Sequence, residues 1–206
     1  NCKEGPGGLR DLQMILWIAS AAGYGNTWDD LARYGFLTQE EEEQLKGCLG
    51  FLQQLRTRLH IHVGRREDRL LFDYQTALAE QLGYKATPTR RASEYLMQRY
   101  YRTAKEITQI NTILLLNIGT ALSPLPDRPP RAINDRFQNT HDLLDVVDEE
   151  VFHREPAVIL DAFLLMERHP ELQGMTARTL RALWHARTLI DDNFRRDAGN
   201  RQRFLE

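Results

Sequence analysis

A long stretch without proline, residues 90–122, constrains the fold of this chain more than any other feature. Apolar side chains recur along it at the three- and four-residue steps of one helical face, at Leu96, Tyr100, Ala104, Ile107, Ile110, Leu114 and Ile118. A continuous helix over these residues is about 45 Å long, which is more than a small domain needs. The sequence therefore predicts one spine helix against which neighbouring elements pack.

The other apolar patterns of the chain also have helical spacing. They predict helices over residues 9–22, 27–34, 38–64, 73–83, 156–168, 176–190 and 200–205. Thr27, Thr38 and Asp73 are expected to cap the helices that follow them, and Gly64 and Gly83 to end helices. No run alternates long enough for a large sheet. We therefore predict an all-α fold: a multi-helix domain with one long spine helix, then a short irregular or hairpin segment, then further helices.

A proline-rich segment separates two parts of the chain. Residues 123–130 read SPLPDRPP, a composition that does not support regular structure. This predicts a helical domain over residues 1–122, a linker over residues 123–132 and a smaller, mostly helical segment over residues 133–206. Within that segment, residues 133–147 mix polar and short apolar pieces and indicate an irregular stretch or a small hairpin.

Composition excludes several functional classes. A formal net charge of −2 gives no general reason to expect nucleic acid or an anionic membrane as a partner. Cys2 and Cys48 make no disulfide framework or structural metal site, so we expect a reducing, cytoplasmic setting. No window approaches the roughly 20 apolar residues of a membrane span. Because the chain begins at Asn1 in the middle of a motif, we expect it to be a piece of a longer protein.

That motif, KEGPGGLRDLQ over residues 3–13, is the strongest candidate for function. Its glycines and proline predict a tight turn with an exposed backbone, followed by a helix that is apolar on every face and therefore enclosed by other elements. Free N–H groups and the helix dipole favour anions at such a start, which suits phosphate and metal chemistry. Alternatively, the glycines only turn the chain and Asp11 complements the dipole.

The same motif resembles the segment that follows the nucleotidyltransferase core in bacterial uridylyltransferase/uridylyl-removing enzymes, which act on the nitrogen regulatory protein PII. Three later stretches agree with this resemblance: residues 64–73 (GRREDRLLFD), 82–84 (LGY) and 97–102 (MQRYYR). A related pattern, GGIREIE, occurs in glutamine-synthetase adenylyltransferases. The resemblance is specific through about Arg102 and looser from Ser123 onward.

The resemblance implies a bifunctional enzyme that depends on Mg²⁺. It transfers UMP from UTP to a tyrosine of PII and removes it again, with glutamine as effector. This segment would support or close the nucleotidyltransferase site, whose glycine-turn and strand carboxylate pair is not found here. We therefore expect Mg²⁺ to be bound mainly by residues outside this chain, none of whose residues is predicted as a metal ligand, and the isolated chain to be inactive.

The resemblance also supplies candidate site residues. Asp11 is the catalytic candidate, as a third carboxylate contributed from the helical region. The candidates for nucleotide or phosphate binding are Lys3, Gly7, Gly8, Arg10, Arg65 and Arg66. An arginine fork suits phosphate, so the loop at Arg65 and Arg66 is directed at UTP or at an acidic surface of PII. The alternative is an ion-pair network with Glu67, Asp68 and Asp73.

Two further patterns bear on function. His141-Asp142, with His60 and His62 before it and Asp191 after it, has the residue order of an HD-type metal phosphohydrolase. Its context lacks the required helix, so Asp142 is better interpreted as part of a turn. For the whole chain, two alternatives to the uridylyltransferase remain: a non-catalytic helical scaffold that binds PII or relays regulation, and the related adenylyltransferase.

Overall fold

The computed structural model describes residues 1–123 and 128–206, which form two compact units, Asn1–Ile118 and Gly119–Glu206. Both units are mostly helical, but the second contains a small sheet. The all-α prediction therefore holds only roughly. Part of the predicted linker, residues 124–127, lies outside the described residues. Among the helices of the described part, none combines the length and apolar character that crossing a bilayer requires.

The first unit is built from five helices. They are α1 (Leu9–Ala21), α2 (Trp28–Arg33), α3 (Gln39–Val63), α4 (Phe72–Gln81) and α5 (Ala92–Leu122), the last of which continues beyond the unit. The unbroken α5 confirms the predicted spine helix, and its apolar stripe is buried. The core contains side chains that are almost fully buried, among them Leu12, Ile15, Leu31, Leu45, Leu52, Leu55, Leu59, Leu78 and Leu96.

Local sequence signals set most of the helix ends in this unit. Thr27 and Thr38 each cap a helix, and an acidic side chain three residues later completes a capping box in both cases. Gly64 ends α3 in the left-handed conformation, with φ at 73°. The predicted cap at Asp73 is wrong: α4 already begins at Phe72, so Asp73 lies inside its first turn.

Helix α1 differs from the prediction that it is enclosed on all sides. Leu12, Ile15 and Ala19 are buried, but Met14 is 47% and Trp17 is 57% exposed. These two residues lie three apart, so they share a face of the helix. Within its own unit, α1 therefore has an uncovered apolar face.

The second unit contains a four-stranded sheet with the order β1-β2-β3-β4. The strands are β1 (Arg131–Ala132), β2 (Phe137–Thr140), β3 (Leu143–Val146) and β4 (Gly174–Met175), and only β3 and β4 pair in parallel. The antiparallel β2–β3 pair confirms the predicted hairpin. The other strands were missed because two residues are too few to show alternation.

Helices surround this sheet. They are α6 (Val151–Arg154), α7 (Val158–Arg168), α8 (Ala177–His185), α9 (Asp192–Arg196) and α10 (Ala198–Leu205). The predicted helix over residues 176–190 is α8 followed by a 3₁₀ turn, Ala186–Leu189. Phe137, Leu144, Val146, Phe152 and Ala162 are fully buried between strands and helices.

Candidate functional site

The glycine turn before α1 is held from two sides. Tyr100 of α5 donates its hydroxyl to the carbonyl oxygen of Asn1 over 3.1 Å, and the amide of Cys2 donates to the carbonyl of Asp68 over 2.8 Å. Gly7 has φ at +70°, and a Cβ atom there would lie 2.1 Å from the carbonyl oxygen of Ala104. Glycine at this position is therefore required by packing against α5 as well as by backbone conformation.

The amide groups at the start of α1 are occupied by the chain itself. Gly8 donates to the carbonyl of Gly5, Leu9 to Cys2, Arg10 to Lys3 and Asp11 to Gly8, over distances between 2.8 and 3.1 Å. The expectation of free N–H groups at this helix start is therefore wrong. A phosphate at this turn would have to bind through side chains or displace these bonds, so contact with Gly7 and Gly8 stays a prediction.

Asp11 closes the same turn with its side chain. Its Oδ2 accepts a hydrogen bond from the amide of Gly7 over 2.7 Å, and the side chain is half-buried in the first turn of α1. Among the residues that the structure describes, no basic side chain lies within ion-pairing distance of this carboxylate. The catalytic assignment of Asp11 stays a prediction, but its position is fixed by the turn.

Two of the candidate cations, Arg10 and Lys3, pair with Glu4 of the same segment. Arg10 donates from Nη2 to Oε1 of Glu4 over 2.8 Å, and Nζ of Lys3 lies 3.4 Å from the same oxygen. The bond from Arg10, supported by Lys3, holds the pKa of Glu4 below its usual value. Nε of Arg10 is buried and has no hydrogen-bond partner among the described residues. Arg10 and Lys3 therefore each contact one carboxylate, that of Glu4, and each retains further N–H donors that can bind an anion.

The arginine loop after α3 is adjacent to the glycine turn, because Cys2 bonds to Asp68. Glu67 is buried and carries the ion pairs: its carboxylate lies 3.8 Å from Arg65 and 3.3 Å from Arg69. Arg66 is exposed and has no carboxylate within ion-pairing distance in the described parts of the chain. The structure thus forms the predicted network at Glu67, while Arg66 keeps an unpaired guanidinium.

Asp68 was predicted to pair with the arginines of its loop and with Arg58, but its partners are two other side chains of α3. Its Oδ1 lies 2.6 Å from Nε of Arg56 and 3.3 Å from Nε2 of His60, both on α3. Partial burial raises the pKa of Asp68, but the bonds from Arg56 and His60 outweigh burial and hold the pKa below its usual value. The four-residue spacing of Arg56 and His60, which puts them on one helix face, was the available signal.

The HD-like residues do not form a site. His141 and Asp142 are the two central residues of the β2–β3 turn, with φ at 54° and 61°, and Asp191 caps α9. This confirms the turn interpretation. The described residues contain no group of three or more His, Cys, Asp or Glu side chains that could hold a metal ion. They therefore do not fit a complete Mg²⁺ site.

Two family models match the chain. GlnD PII-uridylyltransferase matches residues 1–115, and the third domain of uridylyltransferase GlnD matches residues 137–206. These models define a class of nucleotidyl-transferring enzymes. The chain belongs to the GlnD PII-uridylyltransferase family, which supports the predicted resemblance and not the adenylyltransferase alternative.

Proteins similar in sequence to this chain have names that agree with this family. Proteins named bifunctional uridylyltransferase/uridylyl-removing enzyme are 53% identical in Bordetella pertussis strain Tohama I and 50% identical in Nitrosospira multiformis, each over 100% of this chain. The alignments cover 24% and 23% of those proteins, so the chain spans about a quarter of their length. No solved structure is significantly similar to the chain.

Proposed function

We propose that this chain is the central helical part of a bifunctional enzyme that transfers UMP from UTP to a tyrosine of PII and removes it, with glutamine as effector. The segment supports or closes the nucleotidyltransferase site. Mg²⁺ is held mainly by residues outside this chain, because the described carboxylates do not cluster. The isolated chain is then inactive. A cytoplasmic location and the absence of nucleic acid or membrane partners belong to the same proposal.

One observation supports this proposal: the turn that fixes Asp11 is joined by a backbone hydrogen bond to the loop that carries Arg65 and Arg66. The Gly7–Asp11 bond sets the direction of the carboxylate, and the Cys2–Asp68 bond brings the arginine loop beside it. The uncovered apolar face of α1 at Met14 and Trp17 starts one turn further along the same helix. Such a face suits packing against another part of the enzyme.

The second candidate is a non-catalytic scaffold that binds PII or relays regulation. It is favoured by the occupied amides at the start of α1, which leave the backbone no donors for a phosphate. In this case Asp11 only closes the turn and complements the helix dipole.

Asp11→Asn in the full-length enzyme separates the two candidates. Asparagine keeps an oxygen that can accept from the Gly7 amide but removes the negative charge. If Asp11 serves the transfer reaction, uridylyl transfer should fall about a hundredfold or more, the scale for losing a positioned acid–base group. Removal of UMP from modified PII should remain nearly normal. Both rates are measured on one preparation by weighing PII in a mass spectrometer.

Asp29→Asn is the matched control, because Asp29 is an exposed aspartate on α2 that pairs with Lys46. It should leave both rates unchanged. If Asp11→Asn also leaves both rates unchanged, and stability changes by no more than about 1 kcal/mol, the scaffold candidate is supported instead.

A further inference from the structure

A cavity of the first unit is lined by none of the candidate site residues. It has a volume of about 620 Å³ and lies between α3 and α5, next to the segment that follows α4. Buried Cys48 and Phe51 line its inner side, and Tyr84, Arg99 and Arg102 lie on its more exposed side. Its volume falls in the range of about 300–1,000 Å³ that is typical of small-molecule sites.

Gly47 borders this cavity. It lies in the middle of α3, where glycine is a poor helix former, and its φ is not positive. A Cβ atom built at Gly47 meets no atom within 4 Å, so close packing does not require glycine either. Because Gly47 lines the cavity, a larger side chain there would occupy its space. Substitution of Gly47 can therefore fill the cavity without a clash at the Cβ atom.

Two arginines that line the cavity, Arg99 and Arg102, can bind an anion. Arg99 lies over the ring of Phe51, 4.3 Å from its centroid, and donates to the hydroxyl of Tyr84 over 3.2 Å. Neither Arg99 nor Arg102, one helical turn later, has a carboxylate within ion-pairing distance in residues 1–123 and 128–206. Glu106 also lines the cavity, but it faces Cys48, whose Sγ lies 3.6 Å from its Oε2.

The cavity also offers planar groups on which a ring can stack. The guanidinium of Arg99 is supported by Phe51 on one side and is otherwise exposed, so a ring can stack on its free face. Tyr95, which also lines the cavity, is itself covered by Arg90 at 4.2 Å. Burial, followed by the nearby Glu106, raises the pKa of Cys48 to about 12, so its thiol stays neutral and unreactive.

We propose that the cavity between α3 and α5 is a nucleotide-binding site, in which the base stacks on the Arg99–Phe51 pair and the phosphate binds Arg99 and Arg102. Stacking of bases on arginine and aromatic planes is a common mode of recognition. The site is separate from the turn at Asp11, and its existence does not depend on the uridylyl-transfer proposal.

Calorimetric titration of the 206-residue chain with UMP, uridine and inorganic phosphate tests the site. UMP should bind, and uridine and phosphate alone should each bind at least about tenfold more weakly, because each lacks half of the contacts. Gly47→Leu should weaken UMP binding by about tenfold or more, because leucine fills the cavity. Arg99→Gln should weaken it similarly.

Gly50→Leu is the matched control for Gly47→Leu. Gly50 is also exposed in α3 and also has open space at its Cβ position, but it does not line the cavity. It should change UMP affinity by less than about twofold. Circular dichroism of each variant checks that it is folded.

Three results would overturn the proposal. The first is no detectable UMP binding at about 1 mM. The second is equal weakening by Gly50→Leu and Gly47→Leu. The third is phosphate or a poly-glutamate peptide binding as tightly as UMP, which would identify an anion or acidic-peptide site instead.

Discussion

The glycine turn before α1 and the β2–β3 turn both use left-handed backbone, but they do so in different surroundings. Gly7 is buried, and any Cβ atom there would collide with the backbone of α5. His141 and Asp142 instead carry full side chains at φ angles of 54° and 61°. The first turn is a packing surface, whereas the second only reverses the chain between two paired strands.

Different interactions stabilise the two turns. The glycine turn is fixed by backbone bonds to Asn1, Cys2 and Lys3 and by the carboxylate of Asp11. At the hairpin, Oδ1 of Asn139 accepts from the amide of Asp142, and the strands on either side pair in register. The unfavourable conformation of two non-glycine residues is thus offset by the strands, and glycine is not needed there.

Gly7→Ala tests the packing part of this comparison and should have the largest effect. A left-handed alanine costs about 1–2 kcal/mol, and overpacking adds about 1–3 kcal/mol, so the unfolding free energy should fall by roughly 2–5 kcal/mol. Urea unfolding followed by circular dichroism measures it. Gly64→Ala is the control, because Gly64 has a similar φ of +73° but open space at its Cβ position. If both variants lose equal stability, contact with α5 does not explain Gly7.

The β2–β3 hairpin contains a buried charged residue, Asp145. The second prediction concerns this residue. Asp145 of β3 is 5% exposed and accepts from Gln138, Thr140, Thr176 and Arg178. Breaking a buried pair by removing one partner costs about 3–5 kcal/mol, and the partly exposed Arg178 places Asp145→Ala near the lower end. Asp148→Ala removes an exposed pair with Arg154, which solvent screens, and should cost much less than Asp145→Ala.

The pH dependence of Asp145 follows from the same contacts. Burial raises its pKa, but the bonds from Arg178, Gln138 and Thr176 outweigh burial and hold the pKa below its usual value. The stabilisation is therefore complete above the unfolded pKa of about 3.9 and is lost as the pH falls through the lower folded value. Asp145→Asn should flatten this part of the stability profile, measured by urea unfolding between pH 6 and the acid limit, roughly pH 2. An unchanged slope would contradict the assignment.

The sequence predicted features that depend on neighbouring residues and missed those that depend on distant ones. Thr27, Thr38 and Gly64 act within a few residues, and their roles are confirmed. The exposure of Trp17 was missed because a local pattern does not show which faces have partners. The bond between Cys2 and Asp68 and the burial of Asp145 were missed because they join residues far apart in the chain. The occupied amides before Asp11 were missed for another reason: their acceptors are close in the chain, but the motif does not show which carbonyl groups the turn directs at them.

The smallest effect is expected from a change in the β2–β3 turn, at His141 and Asp142. Asn-Gly is the favoured pair for a two-residue turn in which both central residues have positive φ. The double change His141→Asn with Asp142→Gly should therefore raise the unfolding free energy by about 0.5–1 kcal/mol. Relief of left-handed strain gains about 1–2 kcal/mol, and the greater freedom of glycine in the unfolded chain cancels about 0.5–1 kcal/mol of it. Thermal unfolding monitored by circular dichroism measures the shift.

The same double change separates a turn from a metal site. If His141 and Asp142 held a catalytic metal, their replacement in the full-length enzyme would abolish removal of UMP from PII. Because they form the turn between β2 and β3, we expect that rate to be unchanged while stability rises. A loss of stability would show instead that the side chain of His141 or Asp142 supports the hairpin, and the contrast with the packed glycine turn would then no longer hold.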